Sequence, residues 1–182
     1  MLYFCYGSNL LLQRLQCRSP EARIHTVAVL EDYSLVFHKR GVDGSGKCHI
    51  ERATGRPSRV HGVLAEIPRR SRAVLHRAEQ GYDLCPIEVT TPAGKAEAHA
   101  FMARPECLDS ALKPFCWYKQ YVLHGALQHE LPAEYVAGIR NVLSVADPDV
   151  SRVALNRQVL ESARLSGPDA GRCTEAAKAA GS

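Results

Sequence analysis

The spacing of apolar and polar positions changes character twice near the start of the chain. Leu2 to Tyr6 are apolar, aromatic or small, as in a buried strand. Gly7-Ser8-Asn9 stops that run, and Leu10, Leu11 and Leu15 then fall at helical spacing. The pattern predicts a strand, a tight loop and a helix that closes over Arg14 to Arg18 and ends at Ser19-Pro20. Arg23 to Leu30 is rich in β-branched residues, and Tyr33, Leu35 and Phe37 alternate with more polar neighbours. This reads as two strands around a Glu31-Asp32 turn, or as one long bent strand. Gly41 to Lys47 is a glycine-rich, hairpin-type loop. Arg59 to Ile67 is a further strand, with Pro68 at the first position of a helix that runs to about Ala78. Cys85 to Thr91 and Lys95 to Ala103 read as an antiparallel pair joined by Thr91-Pro92-Ala93-Gly94.

From Lys113 onwards the period is helical. Tyr118, Tyr121, Val122, Gly125 and Leu127 predict a helix to about Glu130, and Leu131-Pro132 interrupts it. A second helix is expected from Pro132 to about Val145, and a third within Val150 to Leu165. Residues 166–182 are rich in Ala, Gly and Ser and poor in bulky apolar side chains, which predicts a flexible tail. Strands first, with one helix inserted, and helices afterwards define an α+β class: a mainly antiparallel, barrel-like sheet with helices packed on it. A chain of 182 residues supports one such domain over residues 1–165.

Composition narrows the function classes. Hydrophobic residues make up 46% and charged residues 23%, as in an ordinary globular protein. The formal charge of +4 is scattered. Its densest cluster, Arg69, Arg70, Arg72 and Arg77, lies on an expected helix without interleaved aromatics, so a nucleic-acid partner is not expected. No apolar run approaches the roughly 20 residues of a membrane span. The N-terminus lacks a charged region ahead of an apolar one, so no secretory leader is expected. The odd count of seven cysteines, with no C-x-x-C pair, is then most simply read as free thiols in a reducing cytoplasm.

Candidate chemistry concentrates in two places. Gly7 lets the backbone approach a ligand, and Ser8 and Asn9 are good helix N-caps, so their amides suit a carboxylate or a developing oxyanion. Glu79 sits where an amphipathic helix ends, beside Gln80-Gly81, and a carboxylate there can accept and return a proton. Other motifs fall short. Ser8 lacks the second glycine of a nucleophile elbow and identifiable His and Asp partners. Gly41 and Gly46-Lys47 approach a phosphate-binding loop, but Cys48 stands where that loop needs a hydroxyl. His38, His49 and His61 around Cys48 match no zinc spacing. Cys5, between aromatics, reads as an inert core thiol, and Tyr118 as a core residue whose hydroxyl can donate to a ligand.

Taken together, Tyr3-Phe4-Cys5-Tyr6-Gly7-Ser8-Asn9-Leu10 resembles the opening strand and loop of the gamma-glutamylcyclotransferases. Leu75-His76-Arg77-Ala78-Glu79 with Gly81, Pro86-Ile87-Glu88-Val89, Tyr118-Lys119 with Gly125-Ala126, and Leu131-Pro132-Ala133-Glu134-Tyr135 follow in the same order and approximate spacing. The resemblance implies the gamma-glutamylcyclotransferase-like fold, with a barrel-like sheet around a cavity. It implies release of 5-oxoproline and a free amine from a small γ-glutamyl substrate, with no cofactor or metal, by a homodimer. It places the catalytic glutamate at Glu79, the substrate-holding loop at Tyr3, Phe4, Cys5, Tyr6, Gly7, Ser8 and Asn9, and a substrate tyrosine at Tyr118. A same-fold enzyme that trims a γ-glutamyl group from a biosynthetic intermediate and a non-catalytic γ-glutamyl binder are the alternatives. The chain departs from the family pattern in a short segment after Glu79, in Cys5 where alanine is common, and in residues 41–58, where no family motif can be placed.

Overall fold

Five strands close into a barrel in the computed structural model, which describes residues 1–55 and 57–165. The expected tail lies outside the described residues. Around the barrel the order is β1 (Leu2–Cys5), β5 (Arg59–Glu66), β2 (Arg23–Glu31), β6 (Tyr82–Thr91) and β7 (Gly94–Ala103). Neighbouring strands are antiparallel except where β1 meets β7 in parallel, with Tyr3 opposite His99, and closes the ring. Closure removes the exposed sheet edge that an open sheet would carry. Gly62 on β5 is required here, because a Cβ would sit 2.3 Å from the Cys5 carbonyl and 2.8 Å from the Phe4 ring.

The segment after β2 settles as two strands, not one. Asp32 turns the chain in the left-handed region (φ 63°), which Asp tolerates better than most residues. The strand that follows, β3 (Tyr33–Arg40), leaves the barrel and pairs with β4 (Gly46–Arg52), with one further bridge from Lys39 to Leu108. The Gly41–Ser45 turn between them is the expected hairpin loop, held by its own side chains: Asp43 accepts from the Ser45 amide (3.0 Å) and pairs with Lys47 (2.7 Å). The stretch between β7 and α3 (Cys116–Gln128) ties the hairpin down, for the Asp109 amide donates to the His38 carbonyl (2.7 Å) and the Gly46 amide to the Lys113 carbonyl (2.9 Å).

The first two helices are shorter than their apolar spacing predicts. Ser8–Leu10 forms a 3-10 turn and α1 only Leu12–Gln16; neither Ser8 nor Asn9 makes a side-chain cap. Likewise Pro68 precedes a 3-10 turn, Arg69–Ser71, and α2 is Arg72–Ala78. Both short helices exist through burial, with Leu15 and Leu75 fully enclosed. Helix α3 packs against the Ser8–Leu10 turn. Gly125 makes that possible, since a Cβ there would stand 2.5 Å from the Leu11 nitrogen. The Gln128 side chain accepts the Leu12 amide (3.0 Å), and His129 reaches the Leu10 carbonyl (3.0 Å). Helices α4 (Ala133–Asn141) and α5 (Val150–Leu165) complete the layer. Asp147 joins α5 to α3: it accepts from Trp117 Nε1 (2.7 Å) and from two Arg152 nitrogens (2.6 Å each).

Candidate active site

Strand β1 delivers the chain to one mouth of the barrel, and the Ser8–Leu10 turn begins there because Gly7 breaks the strand. The first hydrogen bond of that turn runs from the Leu10 amide to the Gly7 carbonyl (2.9 Å), so the Ser8 and Asn9 amides have no acceptor within it. Glu79 arrives from the opposite direction. It is the last residue of α2's exit, and Gly81 behind it adopts a left-handed conformation (φ 79°) that returns the chain into β6.

The two meet through side chains. Asn9 Nδ2 donates to Glu79 Oε1 (2.9 Å), and Arg18 Nη1 donates to the same oxygen (2.5 Å) and to Asn9 Oδ1 (2.9 Å). Asn9 Nδ2 also donates to the Tyr3 hydroxyl (3.0 Å). Glu79 Oε1 is thereby anchored, while Oε2 makes no hydrogen bond to any described residue. The Glu79 side chain is only 13% exposed, and that remaining surface opens to a cavity.

The cavity has two parts. A narrow inner slot is bounded by Tyr3, Tyr6, Gly7, Ser8 and Asn9 on one side and by Cys48, Glu79, Tyr82, Phe101 and Tyr118 on the other. Ser8, Glu79, Tyr82 and Tyr118 also border an outer cleft of about 240 Å³. Hydrogen-bond direction distinguishes the tyrosines. Tyr82 donates to the Cys48 carbonyl (2.7 Å) and Tyr6 to the Phe101 carbonyl, so their protons are committed. Tyr118 instead accepts the Cys48 amide proton (3.0 Å), and its own proton faces the Cys48 thiol, itself a slot-lining group. Burial pushes all three hydroxyls, and that of Tyr3, well above the usual tyrosine range, so they remain donors at neutral pH. Burial also pushes the Cys48 thiol up to about 12, which removes it as a thiolate nucleophile.

Of the expected loop residues, the structure brings Tyr3, Tyr6, Gly7, Ser8 and Asn9 to the slot with Glu79 and Tyr118. Phe4 and Cys5 are not brought there. Both are fully buried in the barrel core, Phe4 against the bare backbone of Gly62, and they border neither part of the cavity. Strand alternation turns Phe4 to the face opposite Tyr3, and Cys5, on the same face as Tyr3, is fully enclosed by the core. Sequence reasoning passed over Arg18, read only as a helix end, and the β4 backbone at Cys48, which Tyr82 and Tyr118 grip from both sides. The clue for Arg18 was its spacing from Asn9 across one short helix.

A small closed barrel with an acid and a glycine turn at its mouth is an enzyme-like architecture. Comparison with known proteins makes it specific. Residues 59–139 match the AIG2-like family. A gamma-glutamylcyclotransferase of Bos taurus is 30% identical over 146 residues, which cover 78% of each chain. One of Mus musculus is 34% identical over 141 residues, 74% of each. A solved gamma-glutamyl cyclotransferase shares the fold, with a TM-score of 0.72 at 23% identity over 84% of this chain and 96% of that one. The chain belongs to the gamma-glutamylcyclotransferase family of enzymes.

Proposed function

We propose that the protein releases 5-oxoproline and a free amine from a γ-glutamyl compound by intramolecular cyclisation. The observation that carries this reading is the position of Glu79. Its carboxylate is pinned by one oxygen beside the Gly7–Asn9 turn and open at the other, inside a slot that a flexible glutamyl chain must fold to enter.

The chemistry follows from those positions. The substrate's α-ammonium cannot attack its own γ-carbonyl until a base takes a proton, and Glu79 Oε2 takes it. The amine nitrogen then bonds to the γ-carbon and closes a five-membered ring. The carbonyl electron pair moves onto oxygen, where the Ser8 or Asn9 amide and the Tyr118 hydroxyl donate to it; losing one such donor typically costs about 3 kcal/mol of barrier. Collapse re-forms the carbonyl and breaks the bond to the leaving nitrogen, which takes its proton from Glu79. The ring nitrogen's second proton then passes through the same carboxylate to the departing amine, leaving a neutral lactam and an ammonium. Holding the chain bent replaces a bimolecular catalyst, so no covalent enzyme intermediate is required. The reading carries with it a cytoplasmic, homodimeric enzyme, and sedimentation of the pure protein tests the dimer.

Incubation with γ-glutamyl-alanine, followed by detection of 5-oxoproline, tests the activity. Glu79→Gln keeps the shape and the Asn9 contact but removes the base. Turnover should fall by at least 100-fold with a melting temperature near that of the parent. Full turnover in that variant would exclude Glu79 as the base.

A further inference from the structure

The outer cleft holds more positive charge than the chemistry at Glu79 needs. Arg14, Arg18, Lys39, Lys47 and Arg77 border it, against only two acids, Asp43 and Glu79. Both acids are already engaged, Asp43 by Lys47 (2.7 Å) and Glu79 by Arg18 (2.5 Å). Arg14, Lys39 and Arg77 have no acidic partner among the described residues.

Lys39 is the unusual member. It is 6% exposed, yet its ammonium makes no hydrogen bond or ion pair with any described residue. Its stem packs against Gly81, and Nζ lies 4.9 Å from the centre of the Tyr82 ring, a residue shared by the slot and the cleft. The Lys39 stem is buried while the ammonium reaches the open cleft without an acidic partner, so it is placed to pair with an anion that enters. Arg77, exposed at the rim, and Arg14, packed over the Tyr121 ring at 5.1 Å, add to the same field.

A γ-glutamyl substrate has one α-carboxylate on its glutamyl head, whose γ-carbonyl must lie beside Glu79. The leaving half occupies the cleft. A cationic leaving amine is repelled there; an ordinary amino acid brings one carboxylate, which leaves two of the three cations Arg14, Lys39 and Arg77 unanswered. We propose that the outer cleft recognises an acidic leaving group, so that the enzyme prefers γ-glutamyl conjugates of a dicarboxylic amino acid, with Lys39 as the specificity-determining residue. This inference rests on the cyclisation reading above and specifies its substrate.

Near-isosteric pairs test it. kcat/KM is measured by 5-oxoproline release for γ-glutamyl-glutamate against γ-glutamyl-glutamine, and for γ-glutamyl-aspartate against γ-glutamyl-asparagine. The acid members should be preferred by about tenfold, as expected for one close charge pair. Lys39→Met should collapse the ratio towards one and Lys39→Arg should retain it. If Lys39→Met does not fold, Arg77→Gln at the rim should lower the ratio instead, and the wild-type ratio remains decisive. A wild-type ratio below threefold, with 5-oxoproline still released, overturns the acidic-substrate inference and leaves the cyclisation reading standing. An acid preference that survives Lys39→Met overturns the assignment to Lys39. No 5-oxoproline from any of the four compounds overturns the cyclisation reading and this inference with it.

Discussion

Tyr118→Phe isolates one oxygen atom that has two duties. The Tyr118 hydroxyl accepts the Cys48 amide proton at 3.0 Å in a buried setting, and in the proposed reaction its own proton turns from the Cys48 thiol to the substrate oxygen. Phenylalanine fills the same volume, so no cavity opens and the Trp117 and Phe37 ring contacts remain. What is lost on the structural side is the acceptor for a buried N–H. An unpaired buried donor costs about 1–3 kcal/mol, and the slightly greater apolarity of the new ring offsets part of it. A net loss of about 1–2 kcal/mol corresponds to roughly 2–4 °C per kcal/mol in a chain of this size. The catalytic loss is separate: one donor to the developing oxyanion is worth about 3 kcal/mol, or roughly 100-fold in kcat. Thermal melting and initial-rate kinetics on γ-glutamyl-alanine read the two effects independently. A parent-like melting temperature would show that the Cys48 bond does not stabilise the fold. A parent-like kcat would show that the Tyr118 proton is not used.

Gly7→Ala places a Cβ 2.9 Å from the Cys48 Cβ, so β4 must shift; a loss of about 1–3 kcal/mol in stability and a raised KM are expected from melting and kinetics. The Asp147 carboxyl is held well below the usual carboxylate range, chiefly by the Arg152 guanidinium, then by the Trp117 indole N–H and the Asp149 amide. A depressed native value means stability that is present above the unfolded value near 3.9 and lost as pH falls through the native one. Asp147→Asn should therefore melt lower than the parent at pH 7, with the gap narrowing below about pH 4; a gap independent of pH would refute the charge argument.

Much of this architecture was legible from periodicity, and the exceptions have local causes. Arg59–Glu66 and Gly94–Ala103 were visible as strands because apolar positions recur along them and turn residues bound them. Strand β4 was hidden because Gly46-Lys47-Cys48-His49 carries no alternating pattern; its burial comes from the connector at Lys113 and from two tyrosines elsewhere in the chain. Helices α1 and α2 were read too long because 3-10 turns share the apolar spacing of a helix start. The side chains of Glu79 and Asn9 meet at the slot, whereas the part of Arg18 in that contact has a single cue in the sequence, its spacing from Asn9 across one short helix. Phe4 and Cys5 fall within the stretch the family resemblance marks as the loop, but both are enclosed by the core and border neither part of the cavity.

The ring of five strands is complete without β3 and β4. Yet those two bring Lys39, Asp43 and Lys47 to the cleft and Cys48 to the slot. The hairpin is nonetheless bound into the barrel: Phe37, Cys48 and Ile50 lie in the core, and His49 Nδ1 accepts the Ala103 amide of β7 (3.1 Å). Residues 41–45, the turn at the hairpin's tip, carry Asp43 at the cleft and none of the side chains in the core, so sequence change there alters the cleft border while the strands behind it keep their packing.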